Sequence, residues 1–232
     1  MTSAFARYAT EAWPFRFNGT ITVRNLAGGT PTDPKVAEGW LRTKLVDNRD
    51  DLIRDMVSEV MVERGISADE AAEIVDMNKH LNGFKKHPGK GLYIEGRQLK
   101  AAIKEAASIA AAAGKIPMQK WGKTNKYIFG FVAEHIQVVD ELLYLGVNQP
   151  SRVIQSFPKS SRTGKTGIQY TEVIDEATFD FTVIADHKFA DKDWAMLWLT
   201  GEQQGIGASR SQGFGRYEVT HWEPAGSARP SS

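Results

Sequence analysis

The 232-residue sequence contains no cysteine, which excludes disulfides and thiolate metal sites. No stretch approaches the roughly 18 apolar residues of a membrane span. The opening MTSAFARYATEAWPF holds no apolar run of signal-peptide length. The expectation is a cytoplasmic protein with no membrane partner. Strings diagnostic of common enzymes are missing too: there is no HExxH and no GxSxG. Arg162-Thr163-Gly164-Lys165-Thr166 approaches a P-loop, but Lys159 stands where the first glycine is required. No cofactor and no metal are expected.

Net charge is also nearly absent, at +1, yet the charges are segregated. Acids crowd residues 47–76, among them Asp55, Glu59, Glu63, Asp69, Glu70 and Glu73. The following stretch is basic, with Lys85, Lys86, Lys90, Arg97, Lys100, Lys104, Lys120 and Lys123 set against only Glu95 and Glu105 in residues 79–126. A later stretch carries Arg152, Lys159, Arg162 and Lys165 with no acid among them. Such asymmetry reads as one surface for a polyanion and another that is acidic; the alternative is solvated faces that differ in sign. With 41% hydrophobic and 25% charged residues the composition is that of a globular protein, long enough to bury a core without staples.

Phe15–Leu26 reads as a first strand with Gly19 near a bulge, and Gly28, Gly29, Pro31 and Pro34 end it. Asp51–Arg64 puts Leu52, Ile53, Met56, Val57, Val60 and Met61 on one helical stripe. Ser67-Ala68-Asp69-Glu70 matches a capping box for a second helix through Met77. These helices form an insertion, about residues 34–80. Asn82–Leu92 reads as a basic loop. Gly96–Ala113 is a helix with Leu99, Ile103, Ala106 and Ala110 inward and Lys100 and Lys104 one turn apart on the polar side. His135–Val139 and Ser151–Phe157 are strand-like. Ile168–Val173 and Ala177–Ala185 read as a strand pair, Asp191–Glu202 as a helix, and Gly213–Trp222 as a closing strand. The frame is α+β: a ferredoxin-like (RRM-like) βαββαβ core with an antiparallel sheet and a large helical insertion after the first strand. One domain over residues 1–225 and a disordered tail at 226–232 are expected.

Between the last helix and last strand runs GIGASRSQGFGR, Gly205–Arg216. Its glycines permit positive φ and close backbone approach. Successive exposed amides in such a turn can make an anion-binding nest, and Arg210 and Arg216 add planar donors suited to phosphate. Phe214 can stack on a base or pack inward. The same segment equally suits a purely structural turn.

This segment resembles the C-terminal glycine-rich signature of the RAMP superfamily, which supplies backbone and processing subunits of CRISPR effector complexes. Gly205, Gly207, Ser209, Arg210, Gly213, Phe214, Gly215 and Arg216 fit it, with Ser211 and Gln212 interposed. A second resemblance lies at LYIEGRQLKAA, where Gly96, Leu99, Lys100 and Ala101 match a strand end followed by a helix start. The resemblance implies an RRM-like core that binds single-stranded RNA through its backbone, across the sheet or in a groove between subunits, and possible partners in a homo-oligomer or filament along RNA or in other effector-complex subunits. Candidate nucleic-acid contacts are the loop residues just named, Lys85, Lys86, Lys90, Arg97, Lys100, Lys104, Lys120, Trp121, Lys123, Arg162 and Lys165. Single-stranded DNA is a variant of this reading, because the 2′-hydroxyl contact that separates the two is not legible in sequence.

Some members of that superfamily cleave RNA. His87, inside the basic loop, is a candidate general acid or base, against a plain solvent-exposed histidine. Asp33, in the loop after the first strand, is a candidate metal-assisting carboxylate, against an Asp N-cap followed by Pro34 at the first helical position. The alternatives to an RNA binder are thus an endoribonuclease of the same superfamily, or a scaffolding protein that kept the fold without the ligand.

Overall fold

The structure is a computed structural model that describes residues 14–31, 49–79, 81–113, 132, 134–157, 168–186 and 188–225. Its elements, in chain order, are β1 (Phe15–Ala27), β2 (Thr30–Pro31), α1 (Arg49–Arg64), α2 (Ala68–Lys79), β3 (Leu81–Gly83), β4 (Lys85–His87), β5 (Gly91–Glu95), α3 (Gly96–Ala112), β6 (Ile136–Val138), β7 (Leu142–Tyr144), β8 (Arg152–Ser156), β9 (Gln169–Ala185), α4 (Asp191–Gln204) and β10 (Arg216–Pro224). The chain divides into two compact units. The first comprises Met1–Leu26, Tyr93–Val147 and Glu176–Ser232, and the second Ala27–Leu92 and Asn148–Asp175.

The first unit has the ferredoxin-like order. β10 pairs antiparallel with β1, from Phe17 opposite Pro224 to Arg24 opposite Arg216. β1 lies beside β9, where Thr20 hydrogen-bonds Asp180 and Thr22 meets Thr178, so these strands also run antiparallel. β6 covers the other side of β9, with Ile136 opposite Ala185. The sheet therefore reads fourth, first, third, second in the βαββαβ sequence, and α3 and α4 supply the two helices.

Alternation dictates which side the helices take. Ile21, Val23, Phe179, Phe181 and Val183 are buried, while their neighbours Thr22, Thr178 and Asp180 are not. On α3, Leu99, Ile103, Ala106 and Ala110 are buried as the period demands, and the alanines let α4 approach closely. α4 contributes Trp194, Leu197 and Trp198. At one end these residues merge into an aromatic cluster: Phe17 stacks on Trp222 at 5.0 Å, and Trp194 and Trp198 meet Trp222 at 5.1 and 5.2 Å. Each such pair contributes roughly 0.5–1.5 kcal/mol beyond its buried area. Gly19 is bare because the Phe181 ring fills the space a Cβ would take, and the strand bulges just beyond it, between Thr20 and Ile21.

Two expectations are corrected. Residues 82–92 are not a loop; they hold part of β3, all of β4 and the start of β5. Their glycines, lysines and proline conceal strands that are short and joined by a tight turn. Ile168–Val173 and Ala177–Ala185 are not two strands but one, β9. Its alternation slips at Val173–Ala177, where two buried residues precede two exposed acids, Asp175 and Glu176, a pattern that imitates a turn. The partner that makes the hairpin with β9 is β8.

In the second unit, β3 pairs parallel with the first half of β9, β2 pairs with β3, and β8 pairs antiparallel on the opposite side of β9. α1 packs on α2, and the capping box forms: Ser67 Oγ and backbone N–H both donate to Glu70, and the Glu70 N–H returns to Ser67 Oγ. Those bonds lower the Glu70 pKa.

Glu172 on β9 accepts the Phe84 amide at 3.0 Å. Burial raises its pKa, and that hydrogen bond only partly offsets the shift. A raised folded-state pKa means the folded protein favours the protonated acid. Glu172 therefore detracts from stability as pH climbs from the ordinary glutamate value through the raised one, and by a constant amount above it. Glu172→Gln keeps an acceptor for Phe84 and has no charge. The expected result in urea denaturation is a variant more stable than the native protein at pH 7 and equal to it at pH 4. A difference independent of pH would contradict this account.

Candidate nucleic-acid interface

The loop Gly205–Arg216 is tied down at both ends. Gly205 N–H closes α4 onto the Gly201 carbonyl at 2.8 Å; Ile206 N–H donates to the Gly215 carbonyl at 2.8 Å, and Gly215 N–H to the Asn25 carbonyl at 3.0 Å. Gly205 and Gly215 are buried, with φ of +79° and +70°. They lie back to back, so these two glycines serve packing rather than a ligand. Between them sits a 3₁₀ turn, Arg210–Gln212, flanked by left-handed residues, Ser209 at φ 54° and Gly213 at φ 90°. Gln212 and Gly213 donate to the Ser209 and Arg210 carbonyls.

The consecutive amides of Gly207, Ala208, Ser209, Arg210 and Ser211 have no acceptor among the described residues. Positive φ at Gly207 and Ser209, alternating with Ala208 and the helical Arg210, is the backbone pattern of a nest, in which successive N–H groups converge on one anion. These residues are half-exposed or exposed.

The two arginines differ. Arg210 donates from Nη1 to Glu105 Oε2 on α3 at 2.6 Å, and both side chains keep about a third or more of their surface, 32% and 40%. One guanidinium nitrogen is thereby engaged, and a guanidinium has five N–H donors. Arg216 is exposed and lies opposite Arg24 across the β1–β10 pair. Arg24 is itself within 3.7 Å of Glu176. Phe214 is half-buried. Beneath the loop, burial raises the Tyr217 phenol, Glu202 adds to the effect and Arg210 opposes it.

The remaining candidates scatter. Arg97 is held by Glu95. Lys100 Nζ donates to Gln137 Oε1 at 2.6 Å, and burial, then Lys104, lowers its pKa. Arg97 and Lys100 line a cleft of about 410 Å³, but Glu95, Asp140 and Glu141 share it, so it is not electropositive. Lys104 precedes Glu105, which links the lysine stripe of α3 to the residue that holds Arg210. Lys85, Lys86 and Lys90 stand on and beside β4 in the second unit. Lys120, Trp121, Lys123, Arg162, Lys165 and Asp33 lie outside the described residues. His87 Nδ1 is 2.7 Å from the Pro88 carbonyl and so carries the proton as donor. His135 pairs with Asp186 at 2.7 Å.

The face of the first unit's sheet opposite its helices is polar among the described residues. Across β1 and β9 it presents Asn18, Thr20 and Thr22 against Thr178, Asp180 and Thr182, joined by side-chain hydrogen bonds. These positions carry no aromatic ring, and Asp180 is exposed. Base stacking on an RRM-type sheet needs rings; the one that shares this face on β10 is His221, opposite Thr20, whereas the run of amides lies in the loop.

Glu105, Arg24 and Asn25 are absent from the sequence-based set. For Glu105 and Arg24 no local signal exists, because the contacts cross from α3 and β1. Asn25 carries one: it adopts φ 49°, and asparagine is the non-glycine residue that best tolerates the left-handed region.

The fold and the loop together define an α+β protein of ferredoxin-like topology with a half-exposed amide nest beside an arginine. No family model matches the sequence, and no curated protein matches it. Among solved structures, it is similar to a chain described as "Cryo-EM structure of the Type III-B Cmr-beta bound to cognate target RNA", with 14% identity and a TM-score of 0.46. That alignment covers 90% of this chain and 60% of the other. A likeness at this level transfers no residue role.

Proposed function

We propose that this protein binds single-stranded RNA, gripping the sugar–phosphate chain with the loop Gly205–Arg216, in the manner of a backbone subunit of a CRISPR effector complex, and that it assembles with other copies or subunits along the RNA. The observation that carries the reading is the run of unpartnered amides at Gly207–Ser211 beside Arg210, at the junction of the last helix and last strand of a ferredoxin-like unit. An amide nest recognises a phosphate without reading the base, so recognition is of the backbone. Lys104 on α3 adds a cation in the same unit as the loop, and Lys85, Lys86 and Lys90, on and beside β4, form a separate basic group in the second unit.

The test is fluorescence anisotropy with a labelled single-stranded RNA across a salt series. Binding is expected at low salt, to fall linearly in a log–log plot with a slope near −0.7 per phosphate engaged, and to be similar for unrelated sequences. Absence of binding at low salt, with no nucleic acid co-purifying, would favour the scaffolding alternative. Product analysis on the same RNA, with and without chelator, separates a binder from an endoribonuclease.

A further inference from the structure

β8 has a free outer edge among the described residues, and its chemistry suits another strand. On β9, the Glu172 carbonyl accepts Gly28 N–H at 2.9 Å on one side, and the Val173 carbonyl accepts Ser151 N–H at 2.9 Å on the other. Backbone groups of a strand alternate sides. With Arg152 opposite Val173, Ile154 opposite Thr171 and Ser156 opposite Gln169, the amides and carbonyls of Arg152, Ile154 and Ser156 turn toward β9. Those of Val153 and Gln155 turn outward. Beside them apolar side chains face solvent: Val153 is 45% exposed, Phe157 62% and Ile168 45%.

We infer that β8 pairs antiparallel with β8 of a second copy of this chain, about a two-fold axis at Ile154. This does not rest on the RNA reading. In that register Val153 of each copy exchanges both backbone hydrogen bonds with Gln155 of the other, and Ile154 faces Ile154. Arg152 meets Ser156, so no like charges oppose, and Arg152 is already paired with Asp175 in its own chain. Phe157 lies diagonal to Val153 of the other copy, within reach of an aromatic ring. The contact is isologous and closes on itself. Lysine, proline and inward charge are the usual protections of an edge, and Val153–Phe157 contains none of them. A net charge of +1 sets up no long-range repulsion between copies.

The absence of cysteine makes the test clean. At the two-fold centre the facing residues form a non-hydrogen-bonded pair, with Cα atoms about 4.5 Å apart, within disulfide range. Ile154→Cys is expected to give a covalent dimer under mild oxidation. Thr178→Cys, exposed on the sheet of the first unit, should form no covalent dimer under the same conditions. Native protein should show a concentration-dependent dimer in sedimentation velocity. Gln155→Pro removes the outward amide, together with the side-chain bond from Gln155 to Tyr170 at 3.3 Å within the chain, and is expected to weaken that dimer at least about tenfold, since each copy loses one donor at the edge. Should Gln155→Pro perturb folding by circular dichroism, Val153→Lys tests the same edge by charge. A native protein monomeric at all concentrations, a dimer insensitive to both edge variants, or cross-linking of Thr178→Cys as efficient as that of Ile154→Cys would each overturn the proposal.

Discussion

Gly215→Ala is expected to cost about 3 kcal/mol of folding stability, and Gly213→Ala, two residues away with φ of the same sign, about 1 kcal/mol. Both positions have positive φ, +70° and +90°, and an alanine in the left-handed region costs roughly 1–2 kcal/mol wherever it occurs. The surroundings separate them. A Cβ on Gly213 would meet nothing within 4 Å, whereas one on Gly215 would overlap the Ile206 carbonyl. That overlap forces the chains apart where Ile206 N–H donates to Gly215 and Gly215 N–H donates to Asn25, and each lost hydrogen bond is worth about 1 kcal/mol. Gly205, whose Cβ would sit 2.8 Å from the Gly215 carbonyl, should behave like Gly215. Urea denaturation of the variants decides the matter. Equal losses at Gly213 and Gly215 would mean that backbone conformation alone, and not packing, requires glycine here.

The same pair of glycines marks the boundary between what local sequence determines and what the fold adds. The positive φ of the loop is legible in sequence, because glycine advertises it. Which glycines pack and which face outward is not, since that depends on Asn25 and Ile206, brought together only by the fold. The frame is legible for the same reason its helices are regular: Leu99, Ile103, Ala106 and Ala110 recur at helical spacing and are all buried, and the reciprocal bonds of Ser67 and Glu70 follow from three-residue spacing alone. β9 reads as two strands because a strand that passes from one compact unit to another changes which neighbours it faces, and its burial pattern slips at Asp175 and Glu176. At the sheet face, the alternation carries a polar signal of its own. Thr20, Thr22, Thr178 and Asp180 stand out in the alternation as polar residues, and their lack of rings argues against base stacking there.

Loss of both loop arginines, Arg210→Ala with Arg216→Ala, is expected to weaken RNA binding about a hundredfold at low salt, alike for all sequences. A charge-assisted hydrogen bond is worth about 1.5–3 kcal/mol, so each arginine accounts for at least about a factor of ten. The salt slope should become shallower by about 0.7 for each phosphate contact removed. Glu105 supplies the sharper arm of the test. Its carboxylate occupies one nitrogen of Arg210 at 2.6 Å and so places a negative charge against that guanidinium. Any phosphate that enters the nest competes with that carboxylate for the guanidinium and is repelled by it. Glu105→Ala should therefore tighten binding a few-fold, and the gain should vanish when Arg210→Ala is already present, a coupling that a double-mutant cycle measures directly. Were Glu105 instead needed to hold Arg210 in place, its removal would weaken binding. Were the loop not the contact at all, neither the arginine pair nor Glu105 would change affinity beyond the small effect of one surface charge, and the RNA, if bound, would have to be held by the lysines of α3 and of the second unit.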